Sequence, residues 1–406
     1  MQNSHAPMIS PNRETASYSM RTSHLFTLQA LIFALVSAAF ANIYITQPVL
    51  PVLSAEFGIN ESTASFSVSA VILGIALSNL PFGRLADRHS IRPIILTGGS
   101  AIALAGFLCA ATKSFWLMSG ARFFQGLFIP GLTTCLAAYL AKNLPPERLN
   151  VAIGSYVSAG VVGGLGGRLL GGWIHALLNW RYAFVSASIL LLITAAAAAF
   201  GLPAERAAKK AAEKEVGFIQ LISRPDLLRI FFVSFGAFFV FSSTFNYLPY
   251  YLSGPPFYAS TQVITLLYLA YIIGIIISPL AGKFSNKVGN GATMALGSLI
   301  FGLFLGCTLI KSFPAIVAGL AGICGGFFMV HSAAAGSLNR KLTASRGRAN
   351  SLYVLFYYTG GYTGITLSGY GYIYGGWPAI VILGTVVLLL PFSTGIFENR
   401  KENAVK

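Results

Sequence analysis

Acidic residues are scarce in this chain. Eleven Asp and Glu stand against 27 Lys and Arg in 406 residues. Charged residues of both signs make up only 9%, where a soluble domain carries about one-quarter. That shortage excludes a water-facing surface over most of the chain. The acids are Glu14, Glu56, Glu61, Asp87, Glu147, Glu205, Glu213, Glu215, Asp226, Glu398 and Glu402, and none falls in the middle of an apolar run. Paired-carboxylate catalysis is therefore excluded, and so is a carboxylate buried deep in a membrane. The spans also lack a His-Glu zinc spacing, a Ser/His/Asp set and a phosphate loop ending in Gly-Lys-Ser/Thr, so neither enzymatic chemistry nor ATP use is expected. Four cysteines, Cys109, Cys135, Cys307 and Cys324, all lie in apolar runs without metal spacing. They read as small packing residues, not as metal ligands or disulfides. No metal and no cofactor is expected. A soluble domain is missing too, which argues against a receptor or scaffold, the alternative from another class.

What is present is apolar sequence, 55% of the chain. Runs long enough to cross a bilayer fall at roughly 25–47, 63–83, 93–112, 116–139, 150–172, 181–202, 228–250, 262–281, 292–310, 313–335, 349–370 and 377–396, each close to the ~20 residues a spanning helix needs. The net charge of +16 could suggest a nucleic-acid partner. Its placement gives a different meaning. With the N-terminus inside, the outer ends hold only Lys113, Arg181 and Lys311; Arg122 and Arg168 lie within spans, and all the other basic residues face the cytoplasm. The positive-inside rule then puts both termini in the cytoplasm. Expected partners are membrane lipid, a small-molecule solute and protons, with no nucleic acid and a monomeric chain.

The longest hydrophilic stretch, 203–227, divides the spans into six and six. The expected units are a cytoplasmic N-terminal tail at 1–24, a six-helix half at 25–202, a cytoplasmic linker at 203–227, a second half at 228–396 and a tail at 397–406. The halves repeat. Gly83-Arg84-Leu85-Ala86-Asp87-Arg88-His89-Ser90-Ile91-Arg92 after span two has a degraded copy at Gly282-Lys283-Phe284-Ser285-Asn286-Lys287-Val288-Gly289. Arg148-x-Asn150 is echoed by Arg348-x-Asn350, Tyr156-Val157 by Tyr353-Val354, Gly163-Gly164 by Gly360-Gly361, and Gly171-Gly172-Trp173 by Gly375-Gly376-Trp377. Parallel halves around an axis normal to the membrane place a solute site between them, near the midplane.

These features together resemble the major facilitator superfamily along nearly the whole chain. The run at 83–92 matches the family's loop motif after span two, except that Ser90 stands where Gly is usual. Gln47-Pro48-x-Leu50-Pro51, Gly167-Arg168-Leu169 with Asn179-Trp180-Arg181, Phe245-Asn246-Tyr247 and Ser351-Leu352-Tyr353 are similar to the YnfM-type, arabinose-efflux-like branch of bacterial inner-membrane exporters. The resemblance implies an all-α integral membrane fold of twelve helices in two pseudo-symmetric halves. It also implies a gating latch in which Asp87 meets a helix N-terminus of the other half, with Gly83, Arg88 and Arg92 beside it. The glycines of span five, Gly154, Gly163, Gly167, Gly171 and Gly172, match the family's antiporter motif, with Arg168 where that motif has Pro. Arg122 and Gln125 match an Arg-x-x-Gln-Gly motif associated with proton coupling.

The residues themselves leave several roles open. Gly160, Gly163, Gly164, Gly167 and Gly171 share a helix face and allow close approach of another backbone, read as a seam between the halves. Arg122 is either a proton-coupling residue or a structural one bonded to Gln125, carbonyls or Tyr hydroxyls. Arg168, about one turn from the outer end of span five, either snorkels outward or presents a cation to an anionic solute. His331 is a proton carrier or a packing residue. Asn42, Tyr44, Gln47, Gln125, Tyr156, Arg168, Asn246, Tyr268, Tyr271, Tyr353 and Tyr357 are candidates to line the cavity, with interfacial aromatic belts as the alternative reading of the tyrosines. Two cations within the spans and no acid favour an anionic or neutral solute. The expected activity is alternating-access, proton-coupled efflux of a small organic solute. Uptake or facilitated exchange of an anionic metabolite is the alternative.

Overall fold

The computed structural model describes residues 22–144, 146–203, 216–342 and 345–404. The expected tail at 1–24 lies largely outside them, and so does the stretch 204–215 of the expected linker. α1 (Thr22–Tyr44) starts on what we term the near side of the membrane and rises to the far side. It is followed by α2 (Leu50–Phe57), α3 (Glu61–Ala64), α4 (Phe66–Arg88), α5 (Ile91–Ala111), α6 (Phe115–Leu132), α7 (Thr134–Asn143), α8 (Pro146–Leu177) and α9 (Trp180–Gly201). A short α10 (Phe218–Ile222) leads into the second half: α11 (Pro225–Ser253), α12 (Thr261–Leu267), α13 (Tyr271–Val288), α14 (Asn290–Cys307), α15 (Phe313–Arg340) and α16 (Arg346–Ala404). Among the described residues, ten stretches of helix are long and apolar enough to cross a membrane. The last, α16, doubles back at Gly376, whose φ of 59° is open to glycine but strained for other residues. Counting its two arms separately and adding the 32-residue α8 gives the expected twelve spans. Helix continues to Ala404, through residues expected only as a tail.

Polar caps set the far-side ends of the helices. Asn60, Ser114, Asn179, Ser260 and Ser312 each accept a backbone N–H in the first turn of the helix that follows, which is how short polar side chains satisfy free helix donors. Two spans are broken where sites form. Pro48 and Pro51 follow the end of α1 and force a 3-10 turn at Gln47–Val49, because proline lacks the N–H that would continue the ladder. A second 3-10 turn, Tyr268–Ala270, separates α12 from α13.

Within each half, glycine lets backbones touch. A Cβ on Gly163, Gly167 or Gly171 of α8 would sit 2.3, 2.1 and 2.0 Å from the carbonyls of Ser37 and Ala41 on α1 and of Ile45 just beyond its end. The second half repeats this: Gly360 and Gly364 of α16 lie against the carbonyls of Phe235 and Phe239 on α11. Lipid offers no hydrophobic drive for helix association, so such close approach is what binds the helices. This corrects the reading of the span-five glycines as one seam between halves. Only Gly172 meets the other half, with a Cβ position 1.8 Å from Thr265 Oγ1, and Gly154 faces open space. The repeat is also more regular than the sequence suggested. Trp377 opens the last span as Trp180 opens the sixth, so Trp180, not Trp173, is its counterpart.

Candidate solute site between the halves

The two breaks face each other, and Arg168 lies between them. Arg168 is 2% exposed. Nε donates to Gln47 Oε1 (2.7 Å), an Nη1 hydrogen to the Gly164 carbonyl (2.6 Å) and an Nη2 hydrogen to the Tyr271 hydroxyl (2.8 Å). Rings enclose it: Tyr44 at 3.9 Å, Tyr271 at 4.4 Å and Tyr268 at 5.4 Å from the guanidinium carbon. Tyr44, Gln47 and Gly164 belong to the first half, Tyr268 and Tyr271 to the second. Among the described residues no carboxylate pairs with Arg168. Gln47 is fully buried, and its amide nitrogen has no hydrogen-bond partner. Arg168 thus turns inward, and the outward-snorkelling alternative is overturned. Its head group finds its acceptors at the interface.

Arg122 is placed differently. It is fully buried inside the first half. Nε donates to the Ser67 carbonyl (2.8 Å), Nη1 to the Asn42 carbonyl (2.5 Å) and Gln125 Oε1 (2.7 Å), and Nη2 to the Ile43 carbonyl (2.5 Å). Asn42 and Ile43 end α1 just before its break, so Arg122 satisfies carbonyls that the broken helix leaves free. Gln125 completes the tie by donating to the Ile102 carbonyl (3.0 Å). The side chain of Gln125, expected to line a cavity, lies in this interior network; Asn42, expected there too, lends it only a backbone carbonyl, and its fully buried side chain donates to the Ala38 carbonyl (2.8 Å).

The remaining candidates are spread along the interface. Tyr44 is within electrostatic reach of Tyr271, Tyr357 and Tyr358, and Tyr156 of Tyr358. Nearer the far side, Asn246 Nδ2 donates to Ser65 Oγ (2.8 Å), Ser54 and Tyr250 hydroxyls meet at 2.7 Å, and Gly369 packs against Ser62. These contacts close the far side. Nearer the other side, His331 Nδ1 meets the Tyr353 hydroxyl at 3.0 Å, and its ring lies parallel to Phe327 at 5.8 Å. At the near-side membrane edge, Arg88 is exposed, Arg92 donates to the Leu202 carbonyl (2.8 Å), and Gly83 has open space around it. The side chain of Asp87 lies outside the described residues. The halves also meet there through α10: Arg84 and Arg348 both stand over the Phe218 ring. Sequence reasoning missed Glu56, which binds the Trp180 indole N–H (2.5 Å) and Arg181 and so ties α2 to the start of α9. It also missed the carbonyl of Gly164. The Asn179-Trp180-Arg181 run was the available signal for the former.

Comparison with known proteins places this geometry. The family model of the Major Facilitator Superfamily matches residues 32–290 and 256–404. The chain is 29% identical to the inner membrane transport protein YnfM of Escherichia coli (strain K12), over 94% of this chain and 93% of that protein. It is 28% identical to the uncharacterized MFS-type transporter YybF of Bacillus subtilis (strain 168), over 86% and 88% respectively. A crystal structure of a bacterial homolog of the human lysosomal transporter Spinster, inward-facing and unoccupied, superposes with a TM-score of 0.77 at 15% identity, covering 94% of this chain and 98% of that one.

Proposed function

The chain belongs to the major facilitator superfamily and is a membrane transporter, and from that premise we propose that it exports a small anionic or neutral organic solute in exchange for protons. One observation carries the reading of the solute: Arg168 is a buried cation with no carboxylate partner among the described residues, bonded to both halves at once. A buried charge is costly unless something compensates it, and a solute that enters between the halves can do so. The two broken helices around Arg168 fit this role, because discontinuous spans commonly build the solute sites of such carriers. A cationic solute would meet repulsion here. Both termini lie in the cytoplasm in this reading, from the placement of Lys and Arg, so the closed far side faces outward. Rocking the halves must break the Arg168–Tyr271 bond and the Asn246–Ser65 contact to open that side. Asp87 serves as the latch on the cytoplasmic side, and His331, bonded to Tyr353, as the proton carrier.

The test is flux in proteoliposomes with an imposed pH gradient, using organic anions, neutral sugars and organic cations in parallel. Gradient-driven movement of anions or neutral solutes, and not cations, is expected. His331→Gln should flatten the pH dependence of that flux; an unaltered profile removes His331 as the carrier. Asp87→Asn should slow flux while leaving solute binding in place, and unchanged flux would remove the latch.

A further inference from the structure

The surroundings of Arg168 specify more than charge. Tyr271, which accepts from Arg168, packs against Phe241 with centroids 5.2 Å apart and against Phe245 at 4.7 Å. Phe241 in turn lies flat on Phe327 at 3.9 Å, and Phe327 is followed by His331 at 5.8 Å. Alongside, Tyr357 lies flat on Phe238 at 3.7 Å. A continuous run of ring faces and edges therefore leads from the guanidinium toward the near side along the second half. On the facing side stand Tyr44, the unpartnered amide nitrogen of Gln47 and Arg168 itself. Around the cation, Gln47 Oε1 and the Gly164 carbonyl accept from it and the Tyr268 hydroxyl donates to the Phe245 carbonyl, while the amide nitrogen of Gln47 and the hydroxyls of Tyr44 and Tyr271 are able to donate to an anion. The apolar groups are aromatic, with faces and edges suited to another ring.

We infer that the solute is an aromatic carboxylate, its carboxylate held by Arg168 and Gln47 and its ring received among Phe241, Phe327 and Tyr357. This rests on the anion reading above and narrows it. A guanidinium matches a carboxylate with two parallel N–H bonds, and the amide nitrogen of Gln47 supplies a further donor. As the halves part, the ring would enter from the interface against this aromatic face of the second half, where Tyr357 is half-buried.

Binding to the purified full-length protein in detergent, measured by thermal shift and calorimetry, tests this with chosen probes. Phenylpropionate is compared with cyclohexanepropionate (carboxylate, no aromatic ring), with phenylpropanol (ring, no charge) and with phenylpropylamine (ring, positive charge). Phenylpropionate should bind at least about tenfold tighter than each of the others, a difference of about 1.4 kcal/mol. Arg168→Gln should abolish that binding, and Phe327→Leu should remove the preference over cyclohexanepropionate while retaining the preference over the amine. Equal binding of the two acids overturns the aromatic inference and leaves the anion reading standing. Binding of the alcohol as tight as that of the acids overturns the carboxylate inference and leaves a neutral solute; binding of the amine as tight as that of the acids overturns both. Should Arg168→Gln fail to fold, Arg168→Lys keeps the charge but loses the paired geometry; unchanged affinity there would overturn the role given to the guanidinium.

Discussion

Arg122 and Arg168 are both guanidiniums buried within the membrane region, and neither pairs with a carboxylate among the described residues. Their difference lies in where their acceptors come from. Arg122 bonds to carbonyls of α1 and α4 and to Gln125, all in one half, and fastens a helix end that two prolines have broken. Arg168 takes acceptors from both halves, and one of them, the Tyr271 hydroxyl, must leave when the halves separate. A buried cation that completes one rigid body is architecture. One that bridges two bodies is positioned to take part in their motion.

That contrast can be broken or sharpened by substitution. The largest effect is expected for Arg122→Leu. It strands the carbonyls of Asn42 and Ile43 at the broken end of α1, at about 1–3 kcal/mol for each buried acceptor left unmade. Thermal unfolding in detergent should show a severely destabilised or unfolded protein. Arg168→Gln should reduce solute flux by at least about tenfold, the equivalent of about 1.4 kcal/mol, while the melting temperature stays close to that of the parent. Equal loss of stability in the two variants would erase the distinction between them.

The glycines allow a finer version of the same test. Gly167→Ala drives a Cβ into the Ala41 carbonyl within one half and should cost about 1–3 kcal/mol of stability, as overpacking does. Gly172→Ala meets Thr265 across the interface. It should instead raise labelling of a Ser65→Cys probe by a membrane-impermeant maleimide from the far side, and Thr265→Ala should reverse that. If Gly172→Ala lowers stability as much as Gly167→Ala and leaves labelling unchanged, the two seams are not different in kind. The smallest effect is expected at the membrane surface. Glu56→Gln weakens a partly exposed pair with Arg181 and should cost no more than about 1 kcal/mol, with flux unaltered.

Much of this was legible in the sequence because the bilayer restricts the choices. Apolar runs gave the spans, basic residues their grouping, and recurring Gly and Tyr pairs the two halves. Pro48 and Pro51 announced the break after α1. The break at Tyr268–Ala270 had no such signal, since Thr261 to Tyr271 contains neither Pro nor Gly. It follows from packing against Arg168 and α8. The glycines of α8 were visible as a stripe, but a stripe does not say which neighbour it meets, and α1 lies as close in space as the other half. Arg122 and Arg168 looked alike for the same reason. Residue type and depth can be read from the chain, while the origin of the acceptors depends on how distant segments pack.

The missing counter-charge at Arg168 has an electrical consequence. With a monoanion bound, the site is neutral; empty, it carries one positive charge. A charge moved through the whole membrane potential exchanges about 2.3 kcal/mol per 100 mV, and Arg168 would traverse only a fraction of it as the halves rock. In the proposed exchange the potential would therefore act on the solute-free return, which carries the proton, and leave the anion-loaded step almost untouched.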